Sequence, residues 1–167
     1  MPTDTVYGLV CDATNIKALE RIFLIKKRSK LKPLLVFTNS ITSTKRIAEV
    51  NKHQEALIKD KWPGRTTMIL IAKNGLSSLV QKDRTIGVRV PKYEFLNLIL
   101  KYFKKPLAQT SANISDNPAE TNIERVIEQF LNKKNQPDII VDAGNLPKAK
   151  PSTIINIIKD NIKIIRK

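Results

Sequence analysis

Pro106-Leu107-Ala108-Gln109-Thr110-Ser111-Ala112-Asn113-Ile114-Ser115 is the stretch whose reading decides the fold. A short apolar push ends there in a cluster of small hydroxyl and amide side chains. By itself the cluster reads as an ordinary turn, because Ser and Asn side chains bond their own backbone. At the mouth of a strand the same groups face a ligand or cap a helix. On the N-terminal side, Phe95, Leu96, Ile99, Leu100 and Phe103 recur at helical spacing over residues 93–104, the pattern of a helix packed on a sheet. On the C-terminal side, Thr121-Asn122-Ile123-Glu124 forms a capping box that predicts a helix from about Asn122, with Val126, Ile127 and Phe130 inward. A strand between two amphipathic helices is the unit of an α/β fold.

The same alternation extends in both directions. Val6 to Val10 predicts a buried strand or packed turn. Ile16, Leu19, Ile22 and Phe23 predict a helix from about Asn15 to Lys26, and Leu34-Leu35-Val36-Phe37 a buried strand. Residues 39–44 are expected as a loop, followed by a helix to about Val50. Asn51 with Gln54 signals the start of a further helix to Lys61. Trp62-Pro63-Gly64-Arg65 is a turn feeding the core strand Thr66-Thr67-Met68-Ile69-Leu70-Ile71-Ala72. Residues 85–91 and 154–158 predict strands, as do 139–144 and 162–166. The result is one α/β domain with helices on a mixed sheet, free of repeats and low-complexity linkers.

Composition limits the function classes. At 167 residues, 41% hydrophobic, the chain can bury a sizeable core without staples. One cysteine, Cys11, excludes an internal disulfide and a cysteine-based zinc cluster. His53 is the only histidine and reads as a solvated helix residue, so no metal site is expected. The N-terminus lacks the order of a signal peptide, and no apolar run reaches the roughly 20 residues of a membrane span. A cytoplasmic location is the default. The net charge of +15, from 30 Lys and Arg against 15 Asp and Glu, favours polyanionic partners such as RNA or a nucleotide. Aromatic residues are only 5% of the chain, too sparse for a base-stacking platform.

Neither a phosphate loop nor a Gly-x-Gly-x-x-Gly turn is present. The polar elements nonetheless fall repeatedly at strand ends. Thr3 and Thr5, the basic run from Lys26 to Lys32, Thr85 with Arg89, Ser111 with Asn113, and Ser152 with Thr153 could line one crevice. Arg89 stands in mid-strand, where a guanidinium needs an anion, either a neighbouring carboxylate or a ligand. Hydroxyls and guanidiniums without a His or Cys nucleophile point to positioning and charge neutralisation rather than covalent catalysis.

The chain resembles the YrdC family of threonylcarbamoyl-AMP synthases over essentially its whole length. Pro2-Thr3-Asp4-Thr5-Val6-Tyr7-Gly8-Leu9 is similar to the family's first motif, Lys26-Lys27-Arg28 to its Lys-x-Arg signature, and Ser111-Ala112-Asn113 to its Ser-x-Asn signature. Trp62-Pro63-Gly64, residues 85–91, Asp142-x-Gly144 and Pro151-Ser152-Thr153 follow in the family's order. The resemblance implies a single YrdC-like domain over residues 1–167, a twisted mixed sheet with flanking helices and a concave basic crevice. It also implies condensation of L-threonine, bicarbonate or CO2, and ATP into threonylcarbamoyl-AMP and pyrophosphate, the first step of tRNA threonylcarbamoyladenosine formation. A non-catalytic RNA-binding module of the same fold is the alternative.

Carried over by motif, Lys26, Arg28 and Arg89 are the catalytic residues. Thr3, Thr5, Arg89 and Ser152 contact threonine or its carbamate, and Lys26, Arg28, Lys32, Thr85, Ser111 and Asn113 contact ATP. Asp4 is at most an indirect ligand. Magnesium is expected to travel with ATP rather than on the protein. A downstream threonylcarbamoyl transferase, and contact with tRNA or other RNA, are the implied partners. Family members usually carry a helix and strand before the first motif, so the chain is expected to lack them. Where many members have a histidine this chain has Phe37, and where many have a glycine it has Asp116.

Overall fold

The computed structural model describes residues 1–158 and 162–166. Its strands are β1 (Gly8–Asp12), β2 (Leu35–Phe37), β3 (Thr66–Ile71), β4 (Gln81–Lys82), β5 (Thr85–Arg89), β6 (Leu107–Ser111), β7 (Thr153–Asn156) and β8 (Lys163–Arg166). The helices are α1 (Ile16–Lys26), α2 (Ile41–Ile47), α3 (Lys52–Lys61), α4 (Glu94–Phe103) and α5 (Ile123–Phe130). They form one sheet in the order β1-β6-β2-β5-β3-β7-β8, with β4 hairpinned onto β5. The pairs β2/β5 and β3/β7 are parallel and the others antiparallel, so the expected mixed sheet with flanking helices is present.

Side chains alternate between the two sheet faces. Leu9, Val36, Met68, Leu70, Ile86, Val88 and Ala108 turn to one face and meet α1 and α3 through Leu19, Ile22, Phe23 and Ile58 in the main core. The opposite face is covered only in part by apolar packing. At one end Phe37 and Leu107 pack against Leu96 and Leu100 of α4 in a smaller cluster that Met1, Val10 and Tyr93 border. The rest of that face mixes Leu35 and Ile69 with the polar Thr67, Thr85, Arg89, Gln109 and Ser111, and this asymmetry positions the site.

The helix starts are legible in the caps. Asn15 accepts from Ala18 N, and Asn51 with Gln54 closes a capping box. Three expectations need correction. The 39–44 loop is mostly helix, because Ser40 and Ser43 form a capping box that starts α2 at Ile41. The cap of α5 is Asn122, which accepts from Arg125 N, and not a box built on Thr121. Residues 139–144 form no strand: Ile139 is 80% and Ile140 50% exposed, Gly144 has φ 64°, and among the described residues no strand pairs with them. Apolarity there has another use. Leu9, Ile22, Val126, Phe130 and Ile139 wall a cavity of about 340 Å³ between α1, α5 and this segment. Two hydrogen bonds pin the segment, Tyr7 Oη donating to Gly144 O (2.7 Å) and Ala143 N donating to Tyr7 Oη (3.0 Å). The β4 hairpin was not expected; its turn residues Asp83 and Arg84 both have positive φ. Among the described residues no helix is long and apolar enough to cross a membrane, and His53 is exposed.

Candidate functional site

Two buried cations mark the candidate site. Lys26 closes α1 and is 3% exposed. Helix geometry and the αL residue Lys27 aim its side chain at the end of β6. There the ammonium donates to Ser111 O (2.8 Å), Ser111 Oγ (3.3 Å), Asn113 O (2.9 Å) and Asn113 Oδ1 (2.6 Å). Ser111 Oγ also donates to Asn113 Oδ1 (2.6 Å), and Asn113 Nδ2 donates to Asn117 O (2.6 Å). The end of β6 and residues 112–117 after it thus form a compact loop folded round an ammonium. No carboxylate is in that cage. Burial first, and then the neighbouring Arg28, pull the Lys26 pKa down to about 8. Arg28 bends back over the loop that follows α1, donating from Nε to Lys32 O (2.9 Å), and burial lowers its pKa. Lys32 itself is exposed.

The second cation is Arg89, at the end of β5 and 3% exposed. Its guanidinium carbon lies 4.8 Å from the ring centre of Phe37, its neighbour in register on β2. Nη2 is 2.9 Å from Asp4 Oδ1, and both side chains are 3% exposed. Of the two anions open to Arg89 on sequence grounds, the carboxylate is therefore present. Burial lowers the Arg89 pKa, Asp4 opposes the shift, and Arg166 and Arg65 add to it. Asp4 forms its ion pair with Arg89, while Arg65 and Arg166 add positive charge in the vicinity of Arg89. Arg166 also donates to Ser152 O (2.8 Å), and Ser152 Oγ lies 3.2 Å from Thr67 Oγ1.

Thr3 and Thr5 belong to this second cluster. Thr3 Oγ1 donates to Val6 O (2.6 Å) and lies 3.2 Å from Thr5 Oγ1, so the first motif is a tight, buried turn. It also reaches the first cluster. A Cβ added at Gly8 would lie 3.1 Å from Thr3 Cγ2 and 3.3 Å from Gln109 Nε2, and Gly8 pairs with Ser111. Glycine lets the motif press closely on the strand here, since a side chain would force Thr3 or Gln109 to give by a few tenths of an ångström. Ala112 N donating to Tyr7 O (2.8 Å) holds the two together.

The structure thus groups Lys26, Arg28, Ser111 and Asn113 on one side and Thr3, Thr5, Arg89 and Ser152 on the other. Thr85 stands apart from both hydrogen-bonded groups: its hydroxyl donates to Lys82 O (2.8 Å), four residues and so roughly 13 Å along β5 from Arg89. Sequence reasoning missed Thr67, Arg65 and Arg166, and did not pair Asp4 with Arg89. Asp4 was discoverable, because a mid-strand arginine demands a carboxylate and Asp4 sits inside a polar motif. Arg65 and Arg166 carry no local signal. Among the described residues no group of three His, Cys, Asp or Glu could hold a metal. Asp4 is committed to Arg89 and to Lys92 N (3.4 Å), so these residues do not fit a protein-held magnesium ion.

Comparison with known proteins gives a consistent picture. The Sua5/YciO/YrdC family, described as "Telomere recombination", matches residues 1–167. A relative from Methanocaldococcus jannaschii is 36% identical over 164 residues, covering 98% of this chain and 76% of its own length. The human threonylcarbamoyl-AMP synthase is 33% identical over 147 residues, 87% of this chain and 51% of that protein, so this chain spans about half of it. Pyrococcus abyssi Sua5, solved in complex with L-threonine, superposes with a TM-score of 0.88 at 32% identity, over 99% of this chain and 48% of that one.

Proposed function

The chain belongs to the Sua5/YciO/YrdC family, and from that premise we propose that it joins L-threonine, bicarbonate or CO2, and ATP into threonylcarbamoyl-AMP and pyrophosphate. The observation that carries this reading is the contact of Thr3 with Gly8, the strand partner of Ser111. On this reading the amino-acid side and the nucleotide side adjoin where a Cβ on Gly8 would lie 3.1 Å from Thr3 Cγ2.

The threonine nitrogen attacks carbon dioxide and loses a proton, giving a carbamate. A carbamate oxygen then attacks the α-phosphorus of ATP, the bond to the β-phosphate oxygen breaks, and pyrophosphate leaves. Both partners are anions, so the reaction needs fixed positive charge and exclusion of water. Arg89 takes the threonine carboxylate or carbamate, a role suited to its two-pronged fork. The Thr3 and Thr5 hydroxyls orient the amino acid, and Ser152 lies near the carbamate. Lys26, Arg28 and Lys32 screen the phosphates, while Ser111, Asn113 and Thr85 contact the adenylate. Magnesium arrives on the phosphates of ATP and neutralises part of their charge.

The wider reading follows from the product. A cytoplasmic transferase would consume the adenylate on tRNA, and the net charge of +15 supports contact with tRNA or other RNA. The low aromatic content disfavours an RNA-binding module as the whole function. Arg28→Ala tests the assignment: threonine-dependent release of pyrophosphate from ATP is abolished. Unchanged turnover in that variant removes Arg28 from the site.

A further inference from the structure

The ion pair between Asp4 and Arg89 is unusual in being both buried and incompletely satisfied. The charges are within ion-pair distance, but Asp4 Oδ1 and Arg89 Nε have no hydrogen-bond partner of good geometry. Asp4 Oδ2 has only the long bond from Lys92 N, 3.4 Å. Burying such a pair is a poor way to gain stability, since desolvation rivals the attraction unless every donor and acceptor is used. An unused guanidinium donor at the end of β5, paired with the carboxylate of a polar turn, is what a binding site leaves open. Nearby Arg65 and Arg166 add positive charge, with Asp4 the carboxylate opposing them.

Asp4 also stands between Thr3 and Thr5, which close the motif into a turn through Thr3 Oγ1. A single carboxylate therefore ties the first motif, on one element, to Arg89, on another. We propose that Asp4 is a positioning residue: it fixes the orientation of the Arg89 guanidinium and the seat of the Thr3–Thr5 turn, and so sets the affinity for threonine without touching it. This rests on the reading of Arg89 and the first motif as the threonine side of the site. The nucleotide side has its own anchor in Lys26, so the effect of Asp4 is confined to one substrate.

Asp4→Asn and Asp4→Glu test this. Asn keeps an oxygen but loses the charge that holds the guanidinium; Glu keeps the charge on a longer arm. Calorimetric binding is expected to show threonine affinity at least tenfold weaker in Asp4→Asn and partly recovered in Asp4→Glu, with ATP affinity within about twofold of wild type in both. Threonine and ATP weakened equally, or threonine affinity unchanged in Asp4→Asn, would overturn the proposal. A ligand-free readout separates it from the functional reading. In 15N-edited NMR the Arg89 Nη2 hydrogens, which face Asp4 Oδ1 at 2.9 Å and are assigned by their loss in Arg89→Lys, give a sharp, slowly exchanging signal in wild type and a broadened or missing one in Asp4→Asn. An identical signal in both, or no protected signal in wild type, rules out the orienting role whether or not threonine binds. If wild type shows the signal but neither binds threonine nor makes product, the functional reading fails while the orienting role of Asp4 stands. Where Asp4→Asn does not fold, Asp4→Glu alone decides: a loss confined to threonine and a shifted Arg89 signal support the proposal, and wild-type values for both refute it.

Discussion

Lys26, at the end of α1, and Arg89, at the end of β5, are equally buried cations, yet the chain neutralises them in opposite ways. Arg89 faces a carboxylate from a distant segment. Lys26 faces four oxygens, all uncharged, from a single loop. A cation held by neutral dipoles keeps its full charge for an incoming anion, but burial makes that charge labile, with the lysine pKa near 8. A guanidinium cannot discharge at any ordinary pH, so a fixed counter-ion can sit beside it. The difference matches the proposed ligands: a polyanionic triphosphate on the Lys26 side, and one amino-acid carboxylate on the Arg89 side.

The largest effect expected is from Arg89→Ala. It leaves the Asp4 charge buried and alone, so stability falls by about 3–5 kcal/mol in denaturant unfolding, and threonine-dependent turnover is lost. If Arg89→Ala is as stable as wild type, the two cations are not neutralised differently and the comparison breaks. Lys26→Met strands the acceptors of Ser111 and Asn113; ATP affinity is expected to drop at least tenfold while threonine affinity changes little. A joint loss of both would merge the two sides into one.

The pH dependence sharpens the contrast. As pH rises through about 8, Lys26 loses its proton, so ATP affinity should fall there, whereas threonine binding through Arg89 should show no matching step. Stability moves the other way. Between about 8 and the ordinary lysine value of about 10.4, the unfolded chain holds more protons at this site than the folded one, so the Lys26 contribution to stability rises with pH over that window. Below it the burial penalty is present in full. In Lys26→Met this rising part of the slope should be lost, leaving the opposite slope from Cys11, where burial pushes the thiol up to about 12. The smallest expected effect is from Asp116→Gly, near the Asn113 loop. Asp116 has φ 73°, a left-handed conformation that glycine adopts freely, so a gain of under about 1 kcal/mol is expected without change in turnover.

Most of the architecture was legible because periodicity and caps are local. The strand and helix either side of Ser111, and the Asn51 cap, needed only neighbouring residues to be read. Ile139 and Ile140 were misread for the same reason: an apolar run signals burial or a strand, but whether a partner strand exists is a long-range fact. In the site, Lys26 with Ser111 and Asn113 could be paired through short motifs, and the structure joins them directly. Arg166 could not, because its nearness to Ser152 depends on the β7–β8 pairing at the far edge of the sheet. Asp116 shows the converse case, a departure from the family's glycine whose backbone explanation is visible only in φ.

The most direct test of the central claim is a single incubation of the chain with ATP, magnesium, L-threonine and bicarbonate, read by mass spectrometry. Threonylcarbamoyl-AMP, dependent on all three substrates and accompanied by pyrophosphate, is the predicted result. Intact ATP and no adenylate, in a folded sample that binds RNA in a salt-sensitive way, would contradict it.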